Sequence, residues 1–265
     1  MKKVTECRIL KNIQLTNDIY QMVLESDLTK LIKWPGQFVN LLIQRNGDKP
    51  LLRRPISISS YDYENNQFTL IYKVVGEGTK ILSTYKADEF INVFGPLGNG
   101  YDINSLEKNQ TAVLIGGGVG IPPLFELAKQ FNNKGINVIT LLGFNKIEDI
   151  FLKEEFEKIS KVYIATNDKK TKYCGNVIQL LNYLIKSELI NFDKYYACGP
   201  NKMLKALIEL MENKQGYISL EERMGCGMGA CYACVAKTKK PTIDGKNYKK
   251  ICSDGPVFES NEVEF

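Results

Sequence analysis

The stretch VLIGGGVGIPPLFEL, Val113 to Leu127, decides how the central part of this chain folds. Large apolar residues lead into a glycine-rich turn, and two adjacent prolines then open an amphipathic segment. This order predicts a buried β-strand, a tight turn and a helix that begins near Pro122 and Pro123, where proline suits the first helical turn. A parallel sheet presents such a turn to a dinucleotide at its carboxyl edge. The glycines that we expect at this nucleotide are Gly117, Gly118 and Gly120.

The chain that follows this turn alternates between apolar runs and amphipathic segments as far as Leu220. Such alternation is typical of βαβ units and predicts a parallel α/β sheet. A second turn, within YYACGPNKML, places Cys198 and Gly199 at a strand end, where ligands of such sheets bind. Two alternatives stay open. The first turn departs from the G-x-G-x-x-G spacing and can be purely structural, and Cys198 can be a buried structural cysteine.

The chain before Asp102 consists of short β-type runs separated by turns, about six in number, which predicts a small antiparallel barrel. Two motifs in it can bind phosphate. In LLRRPISISS, Leu51 to Ser60, an arginine pair precedes a strand and can place a guanidinium against a pyrophosphate, with Ser57 facing the ligand. In YKVVGEGTKIL, Tyr72 to Leu82, glycines precede a short helix that Thr79 can cap. A surface arginine pair and an ordinary strand-to-helix turn are the respective alternatives.

Four of the seven cysteines cluster near the C-terminus. Cys226, Cys231 and Cys234 follow the C-x4-C-x2-C spacing of plant-type 2Fe-2S proteins, and Cys252 supplies a fourth thiol. The segment after Leu220 is too small for an ordinary core, so we expect a metal centre to organise it. A four-cysteine zinc site is the main alternative. The odd number of cysteines argues against a disulfide framework.

The composition limits both the architecture and the possible partners. At 265 residues and 44% apolar content, the chain is long enough for two domains and a small third. We recognise neither a membrane-spanning run nor a signal peptide, and we therefore expect a cytoplasmic protein without a membrane partner. The net charge of +5 is spread over scattered lysines, which argues against a nucleic-acid partner. The predicted fold is a multi-domain β plus α/β architecture with domains at 1–102, 103–216 and 217–265.

These motifs together resemble the ferredoxin-NADP reductase superfamily, in which an FAD-binding barrel precedes a nicotinamide-binding α/β domain. The C-terminal SLEERMGCGMGACYACV, with Cys252 inside ICSDGPVF, resembles one branch of it, the electron-transfer subunits of class 1B dihydroorotate dehydrogenases. The resemblance covers essentially the whole chain. Ile56 stands where many superfamily members carry an aromatic residue, and this branch shares the aliphatic side chain.

The resemblance implies cofactor contacts at specific residues. Arg54 would neutralise the FAD pyrophosphate, and Ser57 would lie near the N5 edge of the flavin. The residues implied to line the FAD are Arg54, Pro55, Ile56, Ser57, Ile71, Tyr72, Lys73, Gly78 and Thr79. The implied ligands of the 2Fe-2S cluster are Cys226, Cys231, Cys234 and Cys252. We expect no catalytic residue in this chain, because hydride transfer between FAD and nicotinamide needs no protein base. The absence of histidine is then no obstacle.

The resemblance also implies a function and a partner. An FMN-containing catalytic subunit would oxidise dihydroorotate in de novo pyrimidine (UMP) biosynthesis, and this chain would pass the electrons through the cluster and FAD to NAD+. The family's arrangement is a heterotetramer with two of each subunit. The resemblance implies NAD, whereas the residues alone leave NAD and NADP open: no arginine for a 2′-phosphate follows the second or third strand of the α/β domain, but Lys146, Lys169 or Lys170 can take that role.

Two other functions remain possible at this stage. The same scaffold can serve as the reductase subunit of another complex, such as a sulfide dehydrogenase or a ferredoxin:NADP oxidoreductase. A zinc-binding interaction module fused to a nucleotide-sensing domain would be a function without catalysis. Flavin and iron-sulfur absorption in the visible spectrum would exclude the zinc module, and co-purification with a dihydroorotate-oxidising subunit would distinguish the implied function from the other reductases.

Overall fold

A closed antiparallel barrel forms the N-terminal part of the protein. The computed structural model describes residues 2–43, 50–169 and 171–265, so Lys170 lies outside the described residues. The barrel strands follow the order β1-β2-β5-β4-β3-β6, which confirms the predicted antiparallel barrel. A short helix, α1, lies between β5 and β6, which are the last two barrel strands along the chain. The elements are β1 (Lys3–Gln14), β2 (Ile19–Glu25), β3 (Phe38–Leu42), β4 (Arg54–Asp62), β5 (Gln67–Lys73), α1 (Glu77–Leu82) and β6 (Phe90–Leu97).

The barrel closes because its strands alternate between an apolar inner face and a mixed outer face. In β3, for example, Val39 and Leu41 are fully buried in the barrel core together with Phe68 and Leu70 of β5. Phe38 points the other way and packs in a second core that is shared with the rest of the chain. The outer face near β3 and β4 is therefore the side on which the barrel meets the other domains.

A six-stranded sheet with helices on its faces forms the middle of the protein. Its order is β14-β11-β10-β7-β8-β9, and all pairs are parallel except β11 with β14. The predicted parallel α/β sheet is confirmed, and so is the helix that begins at the proline pair. The elements are β7 (Thr111–Gly117), α2 (Pro122–Asn133), β8 (Asn137–Phe144), α3 (Lys153–Glu157), β9 (Lys161–Thr166), α4 (Val177–Lys186), β10 (Lys194–Cys198), α5 (Asn201–Leu210), β11 (Gly216–Ser219) and β14 (Val257–Glu259).

The cysteine-rich segment lies between β11 and β14 and holds one small hairpin of β12 (Val235–Lys237) and β13 (Tyr248–Lys250). Strand β14 returns to the α/β sheet, so the two ends of this segment are fixed to the same edge. The barrel holds the segment from the other side, because the Asn99 Nδ2 donates to the carbonyls of Ser253 and Asp254 at 3.2 Å each. The division of the chain at residue 216 stays a prediction. The returning strand and the Asn99 hydrogen bonds show that the C-terminal segment packs on the α/β sheet and on the barrel.

No helix among the described residues has the length and apolar character needed to cross a membrane.

A buried carboxylate joins the barrel to the α/β sheet. Glu126 of α2 is only 4% exposed, and its Oε2 accepts from the Tyr61 backbone N–H of β4 at 3.3 Å and from the Lys129 ammonium at 2.9 Å. Its Oε1 accepts from the Gln130 amide at 3.1 Å. Removing this side chain leaves the Tyr61 N–H and part of the Lys129 charge without partners, and such loss is costly in a buried site.

We expect Glu126→Ala to lower the free energy of unfolding by about 2 kcal/mol, because a buried donor loses its acceptor. Urea unfolding of the purified protein measures the change. The control is Glu148→Ala, since Glu148 forms an exposed pair with Lys146 and its loss should cost less than about 0.5 kcal/mol. Equal midpoints for the two variants would contradict the role of Glu126 as an interdomain contact.

Candidate functional site

The arginine pair before β4 separates into two different roles. Arg53 is bound within the barrel, because its Nη1 donates to the Asn40 carbonyl at 3.2 Å and its Nη2 donates to Asn92 Oδ1 at 2.6 Å. Arg54 instead extends to the start of α1, where a Cβ added to Gly78 would lie 2.6 Å from its Nε. Arg54 and Gly78, which the sequence places in two separate phosphate-binding motifs, are thus adjacent. A side chain at position 78 would have to displace the Arg54 guanidinium.

The start of α1 is organised by Thr79, although not in the way the sequence suggests. The residue that caps the helix is Gly76, and Thr79 lies within the first turn. The Thr79 hydroxyl accepts hydrogen bonds from the Val75 and Gly76 N–H groups at 2.9 and 3.2 Å. A side chain at the third helical position that binds the N–H of the N-cap residue is one half of a capping box, and Gly76, without a side chain, cannot supply the other half. The expected capping by Thr79 is therefore corrected: its hydroxyl binds the preceding loop, and a phosphate would meet the main-chain N–H groups of this turn and the Arg54 guanidinium.

The three predicted residues of β5 point to different sides of the barrel wall. Tyr72 faces inward, is 1% exposed, and donates its hydroxyl hydrogen to Asn12 Oδ1 at 3.0 Å. Burial raises the pKa of this hydroxyl well above its ordinary value. Ile71 and Lys73 face outward, and Lys73 pairs with Asp18 at 3.0 Å. Any cofactor contact of Tyr72 is consequently limited to its main chain.

Pro55, Ile56 and Ser57 continue the same wall on β4. They are half-buried and pair with Asn40, Val39 and Phe38 of β3, respectively. The predicted flavin residues of β4 and β5 thus lie in adjacent barrel strands. These residues form one patch of the barrel wall, and Arg54 lies at the end of this patch that is next to α1.

A cleft of about 460 Å³ opens at the carboxyl edge of the α/β sheet. Five of the predicted residues line it: Lys73, Gly117, Gly118, Gly120 and Gly199. The sequence analysis missed several others, among them Phe144, Asn145, Asn167, Met203 and Glu221. Asn145 and Asn167 directly follow β8 and β9, so their position at strand ends was a usable signal. Because Lys73 belongs to barrel strand β5, the barrel also borders the cleft.

Cys198 lies behind the cleft and does not line it. Its thiol is 1% exposed and belongs to the core of the α/β domain. Burial raises the pKa of Cys198 well above the ordinary value, and the nearby Glu221 carboxylate adds to the effect. Glu221 is an exposed residue, but the protein atoms around its carboxyl partly desolvate it and raise its pKa. Cys198 shapes the site through its backbone, which contacts the glycine turn.

The close packing of Gly120 against this backbone makes the turn sensitive to a single methyl group. A Cβ at position 120 would lie 2.4 Å from the Cys198 carbonyl oxygen. We therefore expect Gly120→Ala to displace the turn and to raise the KM for NADH by about tenfold or more, since small displacements of a binding element are costly. Steady-state reduction of ferricyanide by NADH measures the effect. Gly245→Ala strains its own exposed loop, where φ is +78°, but this loop does not line the cleft, so the variant should leave this KM unchanged.

The four predicted cluster cysteines lie in one region and form two pairs. The Cys226 Sγ accepts hydrogen bonds from the N–H groups of Cys231 at 3.3 Å and Met228 at 3.5 Å, and the Cys231 thiol contacts it. Cys234 and Cys252 form the second pair, and both are almost fully buried. The Ile251 N–H donates to the Cys234 carbonyl at 2.8 Å and joins the two chain segments. This arrangement brings Cys252 to Cys234, and the binding of one cluster by all four cysteines stays a prediction.

The thiols differ in their readiness to ionise. Burial would raise the pKa of Cys226, but the N–H groups that point at its sulfur outweigh burial and lower the pKa to about 6. Burial and the neighbouring Cys234 thiol raise the pKa of Cys252 to about 12. A bound cation would remove the second effect, because a coordinating thiol is deprotonated outright. The loop thus has N–H groups that stabilise thiolate sulfur before any iron is present.

Two pairs of thiols fit a two-iron cluster, in which each iron takes two cysteine ligands. Within the part of the chain that the structure describes, no three histidine, cysteine or acidic side chains converge as one metal ion would require. The donor set is entirely thiol and includes the backbone N–H groups that tune the sulfurs of such clusters. The cysteines therefore fit an iron-sulfur cluster, as the Arg54 and Gly78 contact fits FAD and the glycine cleft fits a dinucleotide.

Comparisons with known proteins agree with these three sites. Residues 6–101 match a family model described as the oxidoreductase FAD-binding domain, and residues 114–208 match the oxidoreductase NAD-binding domain. Residues 221–264 match the iron-sulfur cluster binding domain of dihydroorotate dehydrogenase B. The protein thus carries FAD-binding, NAD-binding and iron-sulfur-binding domains.

Relatives of full length match the whole chain. The dihydroorotate dehydrogenase B (NAD(+)) electron transfer subunit of Fusobacterium nucleatum subsp. nucleatum is 47% identical over 262 residues, which are 99% of each chain. The subunit of the same name from Bacillus cereus strain AH187 is 44% identical over 96% of each chain. A solved structure of the NADH-dependent reduced ferredoxin-NADP oxidoreductase is 29% identical, with a TM-score of 0.84, and the match covers 97% of this chain and 89% of the other. The chain belongs to the family of dihydroorotate dehydrogenase B (NAD(+)) electron transfer subunits.

Proposed function

We propose that this protein passes electrons from the FMN of a dihydroorotate dehydrogenase catalytic subunit, through a 2Fe-2S cluster and FAD, to NAD+ in pyrimidine biosynthesis. The observation that carries the proposal is the convergence of the three sites. The barrel wall formed by β4 and β5 borders the dinucleotide cleft through Lys73 of β5, and the buried pair of Cys234 and Cys252 shares a core with Phe38 on the outer face of the barrel. Bound FAD can exchange two electrons with nicotinamide and single electrons with an iron-sulfur cluster.

The residues of this chain bind and orient the cofactors. Arg54 neutralises the pyrophosphate at the start of α1, and the main chain of β5 supports the flavin beside Ser57. The glycine turns after β7 and β10 let the nicotinamide dinucleotide approach the sheet edge. Cys226, Cys231, Cys234 and Cys252 hold the cluster. No side chain is required to move a proton, which agrees with the absence of histidine.

The two cysteine pairs differ in exposure, which gives the cluster an inner and an outer side. Cys234 and Cys252 are buried against the barrel and the α/β sheet, whereas Cys226 and Cys231 are half-buried. Met228 and Tyr232, which are 52% and 62% exposed, lie beside the outer pair. We assign this outer side to the catalytic subunit, because electrons from its FMN must enter at the part of the cluster that another protein can approach.

The preference for NAD over NADP is part of the proposal. The cleft contains Asn145 and Asn167 after β8 and β9, and neither can neutralise a 2′-phosphate. Lys146 is already paired with Glu148. The ratio of kcat/KM for NADH to that for NADPH tests the preference, and a ratio below one would contradict it.

The assembly and the compartment are also inferred. We assign the protein to the cytoplasm, where exposed thiols such as Cys174 stay reduced. We further infer a heterotetramer with two copies of each subunit. Light scattering of the co-purified complex measures the mass, and a one-to-one complex would contradict this stoichiometry.

The function is tested by combining the purified protein with the catalytic subunit encoded by its source. Dihydroorotate should reduce NAD+ only when both are present. If the protein carries both cofactors and forms the complex, yet no NADH appears, the proposed partner is wrong.

A second candidate follows from the solved structure with a TM-score of 0.84, which is that of a ferredoxin-NADP oxidoreductase. Reduced ferredoxin replaces dihydroorotate and its enzyme in the test of this candidate. NAD(P)H formation from reduced ferredoxin, without any from dihydroorotate, would favour it.

A further inference from the structure

Asn40 occupies an unusual position for a polar side chain. It lies in the middle of β3, between the inward-facing Val39 and Leu41, so its amide points to the outer face of the barrel. It is 1% exposed. Phe38, on the same face of the strand, packs in the core that contains Cys234 and Cys252. The Asn40 amide is therefore buried where the barrel meets the cysteine-rich segment.

Asn40 lies next to both predicted cofactor sites. Its backbone is directly opposite Pro55 in the pairing of β3 with β4, and Pro55 belongs to the predicted flavin residues. Its side chain approaches the cluster loop, because a Cβ added to Gly227 would lie 1.9 Å from Asn40 Nδ2. Gly227 follows Cys226 and has a φ of +67°, so the loop needs glycine there for its backbone as well as for this contact. The Asn40 amide therefore packs against the cluster loop from the strand that neighbours the predicted flavin strand.

The amide is also incompletely satisfied. Asn40 Oδ1 is buried and has no hydrogen-bond partner among the described residues. Leaving a buried acceptor without a donor costs about 1–3 kcal/mol, whereas a leucine of similar size would avoid the cost. Asparagine at position 40 thus lowers the stability of the protein without its cofactors, relative to an apolar residue of the same size. The unpartnered oxygen points to a donor that arrives with the cofactors.

We propose that Asn40 is a positioning residue that fixes the cluster loop against the flavin strand, and so sets the geometry of electron transfer between FAD and the cluster. The inference rests on the proposed function, since it assumes that both cofactors are bound. Nδ2 packs against the loop at Gly227, and Oδ1 accepts a hydrogen bond in the loaded protein. Asn40 acts through the loop and does not itself react.

Asn40→Leu tests the proposal, because leucine keeps the volume and removes both polar atoms. The variant should retain its FAD and iron, and NADH should reduce its flavin at a rate within about twofold of the parent. Electron transfer from flavin to cluster, followed by anaerobic stopped-flow absorbance, should slow by about tenfold, because a small displacement of positioned groups is costly to rate. The electron paramagnetic resonance spectrum of the reduced cluster should also change. A merely structural role would alter stability without moving this spectrum.

The matched control is Asn137→Leu. Asn137 is an exposed asparagine at the beginning of β8, on the sheet edge opposite the cleft, and its Nδ2 donates to the Asn109 carbonyl at 3.1 Å. This variant should match the parent in transfer rate and in spectrum. An Asn40→Leu protein that also matches the parent in both would overturn the proposal.

A pair of further variants keeps the test decisive if Asn40→Leu fails to fold. Gly227→Ala forces a methyl group onto the Asn40 amide and should lower the iron content. In the Asn40→Ala background the same methyl has space, so Gly227→Ala should then lower the iron content less. Equal losses in the two backgrounds would show that the contact does not matter, because the backbone strain of alanine at position 227 is common to both.

The parent protein separates this inference from the proposed function. If NADH fails to reduce both flavin and cluster in the parent, the proposed function is wrong whatever Asn40 does. If the parent transfers electrons and Asn40→Leu transfers them equally well, only the role of Asn40 is wrong.

Discussion

Cys234→Ala is expected to abolish electron exchange with the catalytic subunit while leaving NADH oxidation by the flavin intact. Cys234 is 1% exposed and pairs with Cys252 in the core shared with the barrel. Without its thiolate one iron loses half of its cysteine ligands, and coupled turnover should fall by at least about a hundredfold. NADH-dependent reduction of ferricyanide should stay within about twofold, because it needs only FAD and the cleft.

The control for this variant is Cys174→Ala. Cys174 is exposed and lies apart from the cluster cysteines, with its thiol 3.8 Å from the Asn167 carbonyl. It should retain full coupled activity and a full complement of iron. Normal iron content and coupled turnover in Cys234→Ala would show that Cys234 is not a ligand.

Arg54→Leu should weaken FAD binding by roughly ten- to a hundredfold, the range for one charge-assisted hydrogen bond. The guanidinium lies against the first turn of α1, so leucine removes a cation from the contact with Gly78. Fluorescence titration of the flavin-free protein with FAD measures the affinity. Arg8→Leu is the matched control, because Arg8 is an exposed arginine that pairs with Asp88 and Glu25. Equal affinities in both variants would exclude Arg54 from the pyrophosphate site.

Much of the architecture could be predicted from the sequence because its signals are local. The glycine turn and the proline pair predict the end of β7 and the beginning of α2 within a few residues. The spacing of Cys226, Cys231 and Cys234 likewise depends only on a short loop. Local backbone chemistry determines such features, and distant parts of the chain alter them little.

Other features depend on contacts between distant residues and left no such signal. Strand β14 has three residues and exists because β11 offers a free sheet edge. The inward direction of Tyr72 follows from the register of the barrel, and the Thr79 hydroxyl binds the N–H groups of the loop before α1. The contact between Asn40 and Gly227 joins a barrel strand to a loop near the C-terminus. Sequence patterns in either segment alone say nothing about it.

The central claim is that one chain connects NAD, FAD and a 2Fe-2S cluster, and anaerobic titration of the purified protein with NADH tests it most directly. The flavin absorbance should bleach, and an electron paramagnetic resonance signal of a reduced 2Fe-2S cluster should appear in the same samples, without any partner protein. In Cys234→Ala the cluster signal should be absent, because it depends on iron. The flavin of that variant should still bleach. A protein that contains zinc in place of iron, or that shows no cluster signal when NADH has bleached its flavin and dithionite has been added, would contradict the account.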